Sequence, residues 1–199
     1  MRLFPVVPLA AAAVGLLTTS AFAHTGSGPA GSFLTGFLHP IGGIDHVLTM
    51  VAVGSMAAVV GGRAMWTVPC AFIAMMMVGA AAGVAGYPLP LVEFGIVASI
   101  VVTGLATAFG RSLTEAAAVA VAAVFAVFHG HAHGTEMAPM LTAAEYGAGF
   151  AVATAMLHAA GLFGALAVSR RFTTIGTTAV RITGITIAAV GAGMVGTMI

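Results

Sequence analysis

The chain has 199 residues, of which 60% are hydrophobic and only 6% are charged, and its mean hydropathy is +1.14. Soluble domains carry about 25% charged residues, so the composition excludes a soluble protein and predicts an all-α, polytopic membrane helix bundle in the lipid bilayer. The formal net charge of +1, without any basic tract, argues against a nucleic-acid partner.

The first segment, residues 1–23, has the pattern of a cleavable signal peptide. It carries one arginine, an apolar middle and small residues at Ala21 and Ala23, which predicts cleavage after Ala23. The alternative is a retained first helix, although the apolar part is short for a membrane span. Cleavage would make His24 the N-terminus, where its amine and ring nitrogen could chelate a metal. A passive remnant of cleavage explains His24 equally well.

The remaining residues, 24–199, form one predicted domain of six transmembrane helices. The predicted spans are 31–61, 65–86, 89–109, 113–133, 144–168 and 177–199. Cys70, the single cysteine, lies within an apolar segment and is expected to be a buried thiol. The sequence is compatible with a homo-oligomer but does not specify one.

The arginines predict the orientation of these six spans. Arg63 follows the first span and Arg111 the third. Arg170, Arg171 and Arg181 lie around the loop after the fifth span, and the loops after the second and fourth spans contain no arginine. Basic residues are retained on the cytoplasmic side of a membrane. The arginine-bearing loops are therefore predicted to be cytoplasmic, and both termini of the processed chain extracytoplasmic.

The fourth span ends in "FHGHAHGTEM", which groups three histidines within residues 129–133. His129 and His133 are four residues apart and share a helix face, whereas His131 points elsewhere unless the helix unwinds at a neighbouring glycine. Glu136 follows three residues after His133. Imidazoles with a carboxylate suit nickel, cobalt, zinc or copper better than magnesium or calcium. The alternative is a set of solvated histidines at the membrane surface.

The first span contains "HPIGGIDH", in which proline and paired glycines interrupt an apolar helix. Broken helices at membrane depth are tolerated where the freed backbone lines a cavity, and many transporters bind ions at such breaks. His39, Asp45 and His46 are the candidate ligands, with Asp45 alternatively orienting an imidazole. A kinked helix with a structural Asp–His contact would also explain the motif. His158, alone in the fifth span, is a less certain ligand, proton carrier or packing group.

The signal segment before "HTG", the stretch "GFLHPIGGIDHVLTMVAVG" and the stretch "FHGHAHGTE" together resemble the HupE/UreJ family over nearly the whole chain. The resemblance implies permeation of nickel, and in some members cobalt, for hydrogenase or urease maturation. It also implies a metal-binding role for the motif residues His39, Asp45, His46, His129, His131, His133 and Glu136. A looser similarity to the nickel/cobalt transporter family, with its H-x4-D-H motif, is only a chemical analogy, since five residues separate His39 from Asp45 here.

These observations predict a secondary or facilitative permease that moves Ni²⁺, or else Co²⁺, across the inner membrane of a bacterium into the cytoplasm. The metal would be the substrate, and no resident cofactor is expected. An enzyme is not expected, because the chain has no HExxH motif and no serine or cysteine nucleophile beside these histidines. The alternatives are a membrane metalloenzyme and an accessory protein or sensor that binds metal without transporting it.

Overall fold

Residues 32–137 and 142–196, which the computed structural model describes, contain α-helices and one short 3-10 turn, with no strand. The helices are α1 (Ser32–Gly42), α2 (Ile44–Val60), α3 (Ala64–Val84), α4 (Val92–Phe109), α5 (Glu115–Glu136), α6 (Ala143–Arg171) and α7 (Thr173–Val195). The predicted all-α class is therefore confirmed. The predicted signal segment 1–23 and His24 lie outside the described residues.

Five of these helices, α3 to α7, are long and apolar enough to cross a membrane, and α1 with α2 gives a sixth if the bent pair counts as one span. The predicted spans after the first agree with α3 to α7, with ends that differ by a few residues. For example, α5 continues to Glu136 rather than ending at His133. The protein is thus a multi-pass membrane bundle.

The predicted first span, 31–61, is two helices rather than one. Helices α1 and α2 meet at an angle of 80°. The break lies at Gly43, whose backbone is extended with φ −97° and ψ 121°, whereas Pro40 is accommodated inside α1. Glycine has one of the lowest helix propensities, so the chain leaves the helix there at little loss. The predicted break is confirmed and is located at Gly43.

Helices α3 and α5 pack backbone against backbone through glycines. A Cβ atom added at Gly130 would lie 1.8 Å from the Met76 carbonyl oxygen, and one added at Gly79 would lie 2.3 Å from the Val127 carbonyl oxygen. Small residues at such positions allow membrane helices to approach closely. This contact fixes the position of the histidine-bearing end of α5 against α3.

Helix α6 lies against both halves of the broken span. A Cβ atom at Gly149 would lie 2.0 Å from the Phe33 carbonyl oxygen of α1, and one at Gly54 of α2 would lie 2.0 Å from the carbonyl oxygen of His158. The backbone N–H of Thr142 donates a hydrogen bond of 3.0 Å to the Ser32 hydroxyl oxygen. Helix α6 therefore holds α1 against the bundle beside the break.

The two ends of the bundle differ in charge. We call one end of the bundle the arginine end, because five arginines lie toward it: Arg63, Arg111, Arg170, Arg171 and Arg181. There the Arg181 Nε–H donates a 3.1 Å hydrogen bond to the carbonyl oxygen of Ala108, which joins α7 to α4. The opposite end, here the histidine end, carries Asp45, Glu93, Glu136 and Glu145. The carboxylate of Glu115 is the exception and lies 3.8 Å from the Arg63 guanidinium.

The prediction that Cys70 is buried is wrong, because its side chain is exposed on α3. In a membrane bundle, apolar neighbours in the sequence accompany lipid-facing positions as well as core positions. An apolar context therefore does not distinguish the two.

Candidate metal centre

Three imidazoles from three helices meet at the histidine end. His39 lies in the last turn of α1, His46 in the first turn of α2 and His133 in the last turn of α5. One ring nitrogen of each lies within 4.8 Å of the other two, and the Nε2 atoms of His46 and His133 are 2.5 Å apart. His46 and His133 are buried and His39 is half-buried. We call this group the three-histidine site.

Asp45 lies behind His46 rather than within this group. Its Oδ1 atom is 2.8 Å from the Nδ1 atom of His46. The contact is an ion-pair distance rather than a hydrogen bond of normal geometry, but a carboxylate this close favours a proton on Nδ1 and a lone pair on Nε2, the atom that faces His133. The alternative in which Asp45 orients an imidazole is compatible with this position and stays a prediction.

Aromatic side chains of α6 close one side of the three-histidine site. The ring centroid of Phe150 is 4.5 Å from that of His133, 6.1 Å from His46 and 6.0 Å from His39. Tyr146, one turn earlier on α6, lies 6.2 Å from His39. Both aromatic residues are buried, so they exclude water and strengthen electrostatic interactions within the site. Sequence analysis missed them, because nothing in an apolar span marks one aromatic residue as a neighbour of the histidines.

Helix ends also favour a cation here. His39 and His133 lie in the last turns of α1 and α5, so the C-terminal ends of two helices meet at the site, where the opposing N-terminal end of α2 is offset by Asp45 in its first turn. The unpaired carbonyl groups there carry partial negative charge, which stabilises a nearby positive charge. Neutral imidazoles beside such helix ends are a suitable donor set for a late divalent metal ion.

The remaining predicted ligands lie apart from the three nitrogens. His129 is adjacent, with its ring centroid 5.2 Å from that of His46, but its Nε2 atom is 2.9 Å from the hydroxyl oxygen of Ser99. His131 points elsewhere, as its spacing predicted, and its Nε2 is 2.7 Å from the Tyr87 carbonyl oxygen. Glu136 is exposed at the end of α5.

His158 is buried deeper in α6, against Phe72. The two sequence clusters nevertheless meet, as predicted from their common side of the membrane.

The chain matches the family described as HupE / UreJ protein over residues 12–194. The chain belongs to the HupE/UreJ family. It is 41% identical over 178 residues to a protein named "Protein HupE" from Rhizobium leguminosarum bv. viciae, which corresponds to 89% of this chain and 91% of the relative. No solved structure matches the chain. The family resemblance read from the two motifs is therefore confirmed, and in this HupE/UreJ chain the two motifs lie side by side.

Proposed function

We propose that this protein is a secondary or facilitative permease that imports a late divalent metal ion, Ni²⁺ first and Co²⁺ as the alternative. The observation that carries the proposal is the meeting of three imidazoles at a broken helix inside a membrane bundle. Unpartnered polar groups in a membrane are unfavourable and are typical of ion pathways. Membership of a family associated with nickel and cobalt uptake supports the same function.

The chemistry of the site supports capture of the ion from the extracytoplasmic side. Three imidazole nitrogens leave further coordination positions for water, so the ion arrives without losing its whole hydration shell. Asp45 offsets part of the positive charge and keeps the His46 Nε2 lone pair directed at the ion. The carboxylates of the histidine end attract cations over a longer range. The ion is the substrate and passes through.

The distribution of charge supports an orientation and a location. All five arginines that follow residue 23 belong to the arginine end, which we assign to the cytoplasm of a bacterium. The histidine end then faces the outside of the inner membrane, which is where an imported ion first meets the protein. Delivery of nickel for hydrogenase or urease maturation is the role that the family resemblance favours.

Reconstitution into liposomes tests the proposal directly. Purified protein is expected to admit ⁶³Ni²⁺ without any partner, whereas His46→Ala is expected to lower the initial rate at least about 100-fold, because one ligand is lost and its neighbours are left unpartnered. Cys70→Ser is the control for adventitious binding to the exposed thiol and should transport normally. Parallel assays with Co²⁺, Zn²⁺ and Cu²⁺ establish selectivity.

Wild-type protein that binds nickel but admits none would contradict the permease and indicate an accessory or sensor instead. Turnover of a substrate by metal-loaded protein would indicate a metalloenzyme. Equal uptake by wild type and His46→Ala would show that the three-histidine site is not on the pathway.

A further inference from the structure

His129 lies next to the three-histidine site, but its Nε2 atom contacts a network of hydroxyl groups instead of the other imidazoles. Its side chain is fully buried, and the hydroxyl oxygen of Ser99 lies 2.9 Å from its Nε2 atom. The same hydroxyl donates to the Ile96 carbonyl oxygen at 2.5 Å and lies 3.0 Å from the Thr49 hydroxyl oxygen. A hydroxyl has one proton and two acceptor positions, so Ser99 accepts from the His129 Nε2–H and from Thr49.

This arrangement leaves the other ring nitrogen of His129, Nδ1, available to bind a ligand. With the proton on Nε2, the Nδ1 atom carries a lone pair, and it is buried without a hydrogen-bond partner. Metal-binding histidines are commonly held in this way, with one nitrogen bonded to the protein and the other bonded to the metal.

His158 differs from the other buried imidazoles of the described residues in having no partner at either ring nitrogen. It is 1% exposed, and neither of its ring nitrogens has a hydrogen-bond partner among the described residues. Buried polar side chains are nearly always hydrogen-bonded, so such a group calls for a ligand or a function. Its ring lies against Phe72 with centroids 5.0 Å apart, and the ring of His129 lies 5.9 Å from the same Phe72.

Along their helices, His129 and His158 lie progressively further from the histidine end of the bundle. His129 is one helical turn, about 6 Å, from His133 in the direction of the arginine end. His158 is eight residues beyond Phe150 on α6, about 12 Å further from the histidine end. The three-histidine site, His129 and His158 therefore form a series that descends into the bundle.

We propose that His129 Nδ1 and His158 form a second, inner binding position for a late divalent metal ion, with Ser99 as the positioning residue for His129. This inference rests on the proposed permease function and adds the next step of its pathway. Two divalent ions so close together would repel each other strongly in a medium of low dielectric constant, so the two positions are occupied in turn. Water completes the coordination of the ion at the inner position.

The test compares His158→Leu with wild type in uptake, in Co²⁺ binding and in melting temperature. Uptake of ⁶³Ni²⁺ into liposomes is expected to fall at least about 10-fold, because the ion loses its inner position. Affinity at the three-histidine site is expected to stay within about twofold, because His158 does not touch it. The melting temperature is expected to stay the same or rise, since leucine removes an unpartnered polar group from the interior.

Thr154→Val is the matched control. Thr154 lies one turn before His158 on the same helix and is also fully buried, with its hydroxyl 3.9 Å from Met76 Sδ. It should transport like wild type. Ser99→Ala should lower uptake less than His158→Leu does, because it frees the His129 ring without removing it.

Wild-type uptake per folded molecule by His158→Leu, with or without a lower melting temperature, would overturn the inner position and leave His158 a packing residue. If leucine prevents folding, His158→Gln replaces it in the same comparison. A binding measurement separates this inference from the permease proposal. The double variant His39→Ala/His133→Ala should retain a weaker Co²⁺ site that disappears when His158→Leu is added. Absence of that weaker site would also overturn the inference, whether or not the wild type transports.

Discussion

The histidine end and the arginine end of this bundle are built from the same apolar helices but differ in the groups that they bury. At the histidine end, His46 and His133 are about 5% exposed and face each other across 2.5 Å. At the arginine end, the ion pair between Arg63 and Glu115 has side chains that are 85% and 36% exposed. The imidazoles of His46 and His133 are therefore withdrawn from solvent, whereas this ion pair at the other end is left in it.

The difference shows that the two ends meet different physical requirements. Burying an imidazole is unfavourable unless its ring nitrogens find partners, and the proposed metal ion would supply a partner to the three-histidine site. Exposed arginines lose little hydration, and they suit the headgroup region and the cytoplasmic side on which we propose that they lie. We therefore expect substitutions at the histidine end to change metal binding and stability, and substitutions at the arginine end to have small effects on both.

The largest effect is expected from Gly130→Ala, compared with Gly164→Ala in the arginine half of α6. A Cβ atom at Gly130 would meet the Met76 carbonyl oxygen at 1.8 Å, whereas one at Gly164 meets nothing within 4 Å. We expect Gly130→Ala to lower the free energy of unfolding by about 3 kcal/mol and Gly164→Ala to raise it by about 0.5 kcal/mol. Unfolding in detergent measures both, and equal effects would contradict the backbone contact of α3 and α5.

A smaller effect, confined to the metal, is expected from Asp45→Asn. The amide keeps the shape of the side chain but no longer holds the proton on His46 Nδ1 as a carboxylate does. Loss of such a supporting group typically weakens metal binding by about 10- to 100-fold. Calorimetric titration of the purified protein with Ni²⁺ measures the change. An affinity equal to that of wild type would show that Asp45 does not orient His46.

The smallest effect is expected from Arg63→Gln at the arginine end. Because this pair is largely exposed and screened by water, its removal should change the free energy of unfolding by about 0.5 kcal/mol or less. Nickel uptake should be that of wild type. A clear loss of uptake in folded, correctly oriented protein would mean that the arginine end also acts on the ion.

The meeting of the two histidine clusters could be predicted from the sequence because two simple constraints suffice. Helices that cross a membrane alternate in direction, and the arginines fix which loops share a side. Together these put residues 39–46 and 129–136 at the same end of the bundle before any packing is known. The separation of His131 from His129 and His133 likewise follows from helical periodicity alone.

The choice of neighbours could not be predicted, because an apolar span looks alike on every side. Phe150 and Ser99 contact the histidines, yet their sequence surroundings resemble those of residues that face lipid. Cys70 was assigned to the wrong environment for the same reason. The 80° angle at Gly43 also depends on α6, which packs on both halves of the broken span. In a membrane protein, tertiary packing decides which apolar positions face the core and which face lipid, because hydrophobicity alone does not distinguish them.

The long sequence separation between His46 and His133, 87 residues, has a consequence for the synthesis of the protein. The ribosome delivers α1 and α2 first, but His46 Nε2 meets His133 only after α5 has entered the membrane. The wall formed by Phe150 comes later still, with α6. During much of translation "HPIGGIDH" therefore has only its own residues as polar neighbours, and a nascent chain released before α6 would contain the motif without His133 beside Phe150.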